Sequence, residues 1–158
     1  MTDKPTPEDI ALWQRRLASR ANNRAWTLAE MLHRAREEDD EMLHAAHAAM
    51  YFWSMVGEPS HHAHAAQLLA HVYALLKRPG PAVHYLSKAL PYFEQHGCAP
   101  WEKAFAHAIA ANVAYAEGNA AEHAKQYVDA QQAAAHITDP ETRDMFAATL
   151  RVVPVPKL

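Results

Sequence analysis

Histidine is the residue type in this chain that most readily suggests chemistry. Twelve of the 158 residues are histidines, and an imidazole can bind a metal, transfer a proton or hydrogen-bond a ligand. Four polar residues recur at positions i, i+4, i+7 and i+11, namely Asp40, His44, His47 and Tyr51. This spacing puts them on one side of a helix. We expect this polar stripe to line a ligand-binding groove. The alternative is that the same side chains are solvated or lie at the rim of the core.

A metal site is the sharper alternative for part of this stripe. Glu41, His44 and His47 place one carboxylate and two imidazoles along one flank of the helix, and these are ligand types that transition metals use in helical proteins. Glu41 also lies near a helix start, where the helix dipole favours acidic residues. We therefore expect no bound metal or other cofactor, and keep these three residues as the alternative.

A second strip mixes polar and aromatic residues on the preceding helix. It comprises Asn22, Asn23, Trp26, Glu30 and either His33 or Arg34. We assign Asn23, Trp26 and Glu30 to the ligand-binding groove, because amide, carboxylate and indole groups together suit a ligand or a peptide. The remaining tryptophans, Trp13, Trp53 and Trp101, have apolar neighbours in the sequence, and we expect them to pack between helices.

Several function classes have no support in the sequence. The chain contains no glycine-rich phosphate loop, no Gly-x-Ser-x-Gly elbow and no His-Glu-x-x-His motif, so we expect a protein without enzymatic activity. Fifteen Lys and Arg residues against eighteen Asp and Glu residues give a net charge of −3. Because a nucleic-acid binder needs a basic face, we expect no nucleic-acid partner.

The elements that position these residues are predicted to be helices. The chain has only four glycines and many alanines, and start and stop signals divide it into about eight helices. Two of these are predicted at roughly 7–20 and 22–36. Short connections make neighbouring helices antiparallel. We expect one helical domain over 7–151, with terminal tails at 1–6 and 152–158.

The chain also repeats itself at about the length of a helix pair. A shift of about 42 residues aligns alanines and tyrosines of one segment with those of the next. It places Ala66, Tyr73, Ala74, Ala82 and Tyr85 on Ala108, Tyr115, Ala116, Ala124 and Tyr127. Small residues in register with aromatic ones allow antiparallel helices to approach closely. The repeat therefore predicts a short helical solenoid.

The segment 64–90, HAAQLLAHVYALLKRPGPAVHYLSKAL, resembles a tetratricopeptide repeat. The residues that match its two helices are Leu69, Ala70, Tyr73, Ala82, Leu86 and Ala89. The unit over 101–132 matches less well, because Asn112 and Gln131 stand where small apolar residues are usual. The chain as a whole is similar to small uncharacterised bacterial proteins of tetratricopeptide-like type.

This resemblance implies a binding function. In a tetratricopeptide-like array, His64, Gln67 and His71 would face the concave side, where we expect them to meet the polar stripe in one groove. The expected function is recognition of a peptide or protein partner, with a homodimer through the exposed terminal helices as a further expectation. The alternative is a sensor domain that binds a small molecule or a metal in this histidine-rich groove.

The expected location is the cytoplasm, with no membrane partner. The N-terminal sequence lacks a basic segment followed by an apolar one, and no stretch approaches the ~20 apolar residues of a membrane span. The single cysteine, Cys98, agrees with a reducing compartment.

Overall fold

The computed structural model of the protein describes residues 3–95 and 98–157. Within these ranges the chain forms seven α-helices and no β-strand. The helices are α1 (Pro7–Ala29), α2 (Arg36–Val56), α3 (Pro59–Leu75), α4 (Pro79–Gln95), α5 (Pro100–Glu117), α6 (Ala120–Ala134) and α7 (Pro140–Arg151). The all-helical class predicted from the sequence is confirmed.

The N-terminal helix differs from its prediction, since 7–20 and most of 22–36 form one helix. Thr6 and Asp9 cap its start reciprocally, with Asp9 N donating to Thr6 Oγ1 over 3.1 Å and Thr6 N donating to the Asp9 carboxylate over 3.0 Å. The predicted break at Asn22 does not occur, because Ala18 and Ala25 are both fully buried on either side of it. Continuous packing outweighs the weak helix propensity of two asparagines.

The first two helices form an antiparallel pair. Gln14, in the first half of α1, contacts Met55 at the end of α2, with 3.3 Å between Nε2 and Sδ. Arg24, in the second half of α1, forms a bidentate ion pair with Glu41 near the start of α2, at 2.6 and 2.9 Å. Contacts that run in opposite directions along the two helices fix their antiparallel orientation.

The next four helices form two more pairs of the same kind. In α3 and α4, the Tyr73 ring stacks on Tyr85 and the His64 ring meets Phe93 at a centroid distance of 5.2 Å. In α5 and α6, the corresponding contacts are His107 with Gln126 and Tyr115 with His123. Helix α3 also contacts α1, α2 and α5. The helix pairs therefore pack against one another.

The core lies along α3 and α5, which carry most of the buried residues. Three apolar clusters follow one another through the molecule. The first joins α1, α2 and α3, the second joins α3, α4 and α5, and the third joins α5, α6 and α7. Trp26 packs against all three clusters, so this side chain lies where the helix pairs meet.

The C-terminal residues pack on the helices. Val153 is 2% exposed, and His123 Nε2 donates to the main-chain oxygen of Pro154 over 2.7 Å. The segment predicted as a tail at 152–158 is thus anchored at Val153 and Pro154, whereas Val155 is 72% exposed. Among the helices of the described residues, none combines the length and the apolar character needed to cross a membrane.

Candidate ligand-binding groove

A cavity of about 540 Å³ lies between α1, α3, α5 and α7. We call it the groove. Its walls come from the C-terminal third of α1, the first half of α3, the start of α5 and the first turns of α7. The residues that line it are Asn22, Asn23, Trp26, Thr27, Glu30, His64, Gln67, Trp101, Phe105, Thr142 and Met145.

Aromatic rings form a continuous wall of the groove. Phe105 lies in the middle, with Trp26 at a centroid distance of 6.0 Å and Trp101 at 6.2 Å, both edge to face. His64 stacks on Trp101 at 5.7 Å. Such contacts orient the rings relative to one another, so the wall is already formed in the unbound protein.

Gln67 brings an unpartnered amide to this wall. The residue is only 3% exposed, yet within residues 3–95 and 98–157 its side chain has no hydrogen-bond partner. Its amide atoms are not among the fully buried, unpartnered polar atoms of the described residues, so they can be reached from the cavity that the residue lines. The Gln67 amide is therefore available to hydrogen-bond a molecule that enters the groove.

Glu30 brings a carboxylate to the edge of the groove. The side chain is partly buried, and burial raises the pKa of its carboxyl group, while the nearby Arg151 acts in the opposite direction. Arg151 Nη2 donates to the main-chain oxygen of Glu30 over 3.2 Å. Among the described residues, the carboxylate itself has neither an ion pair nor a hydrogen bond.

His64 is oriented by a neighbouring acid. Its Nε2 lies 3.2 Å from Glu102 Oε1, and Glu102 Oε2 accepts a hydrogen bond from Ala99 N over 3.0 Å at the start of α5. The Glu102 carboxylate thus caps α5 and holds the imidazole at the same time.

His71 lies behind the groove and does not line it. It is fully buried, its ring is 5.7 Å from that of Trp26, and burial lowers its pKa to about 3. Asn112 Nδ2 donates to His71 Nδ1 over 3.1 Å, so the neutral ring carries its proton on Nε2. Among the described residues, this nitrogen has no hydrogen-bond partner. Asn112 departs from the tetratricopeptide pattern, and it serves here as the partner of a buried histidine.

The structure brings together five of the residues predicted for the groove and separates the others. Asn23, Trp26, Glu30, His64 and Gln67 all line the cavity. The stripe of α2, Asp40, His44, His47 and Tyr51, does not contribute to it.

The stripe lies elsewhere because α2 turns it toward solvent and toward the C-terminal end of α3 and the N-terminal half of α4. His47 Nε2 is 2.7 Å from the Tyr73 hydroxyl, and the His47 ring also meets Tyr85 edge to face. Burial at this contact lowers the pKa of His47. Asp40, His44 and Tyr51 are exposed. The structure therefore does not place the stripe in the cavity that His64 and Gln67 line, and the expected common groove of the two sets is not formed there.

The alternative metal ligands are not gathered into a site. Glu41 is engaged by Arg24 and His47 by Tyr73. Over the part of the chain that the structure describes, no group of three or more His, Cys, Asp or Glu side chains is arranged to hold a metal ion.

Sequence reasoning missed half of the groove. The residues not assigned to it were Asn22, Thr27, Trp101, Phe105, Thr142 and Met145. Trp101 was expected to pack between helices but is 40% exposed. The available signals were the i, i+4 spacing of Trp101 and Phe105 and the i, i+3 spacing of Thr142 and Met145, which place each pair on one helix face.

Trp13 also departs from its predicted packing role. It is 50% exposed on the outer half of α1, where Ile10 and Leu17 are exposed as well. The homodimer through terminal helices stays a prediction.

Comparison of the chain with protein-family models, with curated proteins and with solved structures gave no match. The resemblance to tetratricopeptide repeats therefore stays a prediction, as does the solenoid arrangement; the structure shows an all-helical class with packed helix pairs.

Proposed function

We propose that the protein is a non-enzymatic binding module, and that its groove takes a peptide segment of a protein partner. In this proposal the three helix pairs and α7 form a tetratricopeptide-like array, with α1, α3, α5 and α7 presenting the binding side. The observation that carries the proposal is the Gln67 amide, which has no hydrogen-bond partner among the described residues and lines the cavity beside the preformed aromatic wall.

The chemistry of the lining suits a peptide. Asn22, Asn23 and Gln67 carry amides that can both donate to and accept from peptide groups. Trp26, Trp101 and Phe105 offer apolar surface to side chains with little loss of conformational entropy on binding. A preformed cavity with few, well-placed polar groups is typical of specific binding sites.

A selection experiment tests this proposal. A phage-displayed library of random dodecamer peptides is selected on the wild-type protein, and the enriched peptides are synthesised. Isothermal titration calorimetry then measures their affinity for Trp101→Ala, Gln67→Leu and the control Trp13→Ala. Trp13 and Trp101 are exposed to a similar extent, 50% and 40%, so the two alanine variants remove a comparable indole, one outside and one inside the groove.

We expect the groove variants to weaken binding by about tenfold or more, the effect of removing a well-placed contact, and Trp13→Ala to bind like the wild type. Peptides that bind Trp101→Ala and Gln67→Leu at wild-type affinity would contradict the proposal. A selection without enrichment would also contradict it. So would a small molecule that co-purifies with the wild-type protein and that native mass spectrometry finds missing only from the groove variants.

A further inference from the structure

The lining of the groove contains two ionisable side chains, Glu30 and His64. Within the described residues, no lysine or arginine lines the groove. The His64 imidazole is already held by Glu102. Glu30 is therefore the charged group that a ligand in the groove can still engage.

Among the described residues, the Glu30 carboxylate forms no ion pair. Arg151 acts on it electrostatically, but the Arg151 guanidinium donates to the main-chain oxygen of Glu30. Among the described residues, no ion pair joins the two side chains. Partial burial of a carboxylate that Arg151 compensates only in part costs free energy, and the raised pKa of Glu30 reflects that cost. A cation supplied by a ligand would remove it.

Aromatic rings lie next to this carboxylate. Trp26, in the last turn of α1, and Glu30, the residue that caps the C-terminus of this helix, line the same cavity, and Phe105 lies against Trp26. A carboxylate beside aromatic rings binds an ammonium or guanidinium ion through charge-assisted hydrogen bonds and cation–π attraction. The aliphatic stem of a lysine or arginine also packs favourably along aromatic surface.

From these observations we infer that the groove recognises a basic side chain, lysine or arginine, of the bound peptide. The cationic group pairs with the Glu30 carboxylate, and the stem lies along Trp26 and Phe105. This inference rests on the proposed function, since it names the residue that anchors the peptide.

The test uses peptides from the selection described above. Each lysine or arginine is replaced singly by norleucine, which keeps an aliphatic stem and removes the charge, and lysine and arginine are also exchanged for each other. Calorimetric affinities are measured on the wild type, on Glu30→Gln and on the control Glu37→Gln. Glu37 is exposed in the first turn of α2, so its replacement changes the net charge equally but away from the groove.

We expect one basic position at which norleucine weakens binding to the wild type by about tenfold or more. The same exchange should cost less than about threefold on Glu30→Gln, because the partner of the cation is gone. Glu37→Gln should keep the full tenfold loss. If exchanging lysine and arginine for each other keeps the affinity, the groove recognises the positive charge. If the exchange lowers the affinity, it shows which of the two cations fits. Both outcomes support the inference.

Two results separate the inference from the proposed function. If binding needs Trp101 and Gln67 but tolerates norleucine at every basic position, the inference is wrong and the peptide groove stands. If no peptide binds through the groove, both are wrong. The norleucine exchange on the wild-type protein keeps the test decisive even if Glu30→Gln fails to fold, which circular dichroism would reveal.

Discussion

His71 is the single residue whose environment has the clearest thermodynamic consequence. Its pKa in the folded protein is about 3, against about 6.5 in an unfolded chain. Below pH 6.5 the unfolded state therefore binds a proton that the folded state does not, and the free energy of unfolding falls as the pH is lowered. His47, whose pKa burial also lowers, contributes with the same sign.

We predict that lowering the pH from 7.5 to 5.5 reduces the free energy of unfolding by about 1.4 kcal/mol through His71 alone. Urea denaturation at a series of pH values measures this slope. The slope should be clearly smaller in His71→Gln than in the wild type, because this variant removes the imidazole whose pKa burial lowers most. Equal slopes in wild type and His71→Gln would show that this imidazole is not held neutral.

Residue spacing alone predicted part of the groove. Asn23, Trp26 and Glu30 share a face of one helix, and their mixed chemistry pointed to a ligand. The same reasoning failed for Asp40, His44 and Tyr51, because their equally regular spacing says which residues share a face but not what that face packs against. The pairing of His71 with Asn112 joins residues of two helices, and no local pattern could predict it.

At the scale of single helices, α7 links local structure to the groove. Asp139 caps this helix, and its carboxylate accepts hydrogen bonds from Thr142 N over 2.9 Å and from Thr142 Oγ1 over 2.6 Å. These bonds lower the pKa of Asp139. Because Thr142 lines the groove, the cap also fixes the position of a groove side chain.

We predict that Asp139→Ala lowers the melting temperature and weakens binding of a groove-selected peptide by about threefold or more. Thr6→Ala is the matched control, since it removes the equivalent cap at the start of α1, whereas the groove residues of that helix lie toward its other end. It should lower the melting temperature without changing the affinity. Unchanged affinity in Asp139→Ala would show that α7 does not shape the binding site.

The helices themselves were largely predictable. Proline at the first helical position marked the starts of α3 and α7, because proline lacks the donor that a first turn leaves unpaired. The long α1 was predicted as two helices because the two asparagines suggested a break, whereas the burial of Ala18 and Ala25 against neighbouring helices decides the outcome. Such packing is a tertiary effect that local propensity does not contain.

For the whole molecule, the central claim is that one side of the helical assembly is the binding side. The groove draws on the first, third, fifth and seventh helices, so its shape depends on how the pairs pack. Trp26 sits at that junction and contacts all three core clusters. The sequence predicted paired helices, but the cavity between them could not be predicted, because it arises from contacts between residues far apart in the chain.

The tryptophan indole N–H resonances of the protein test this claim most directly. The chain has four tryptophans, of which Trp26 and Trp101 line the groove and Trp13 and Trp53 do not. A ¹⁵N-labelled sample is titrated with a selected peptide, and each resonance is assigned by single substitution to phenylalanine. The account predicts that the Trp26 and Trp101 resonances move to saturation while those of Trp13 and Trp53 stay in place. Movement of the Trp13 and Trp53 resonances at saturating peptide, with Trp26 and Trp101 unchanged, would contradict it.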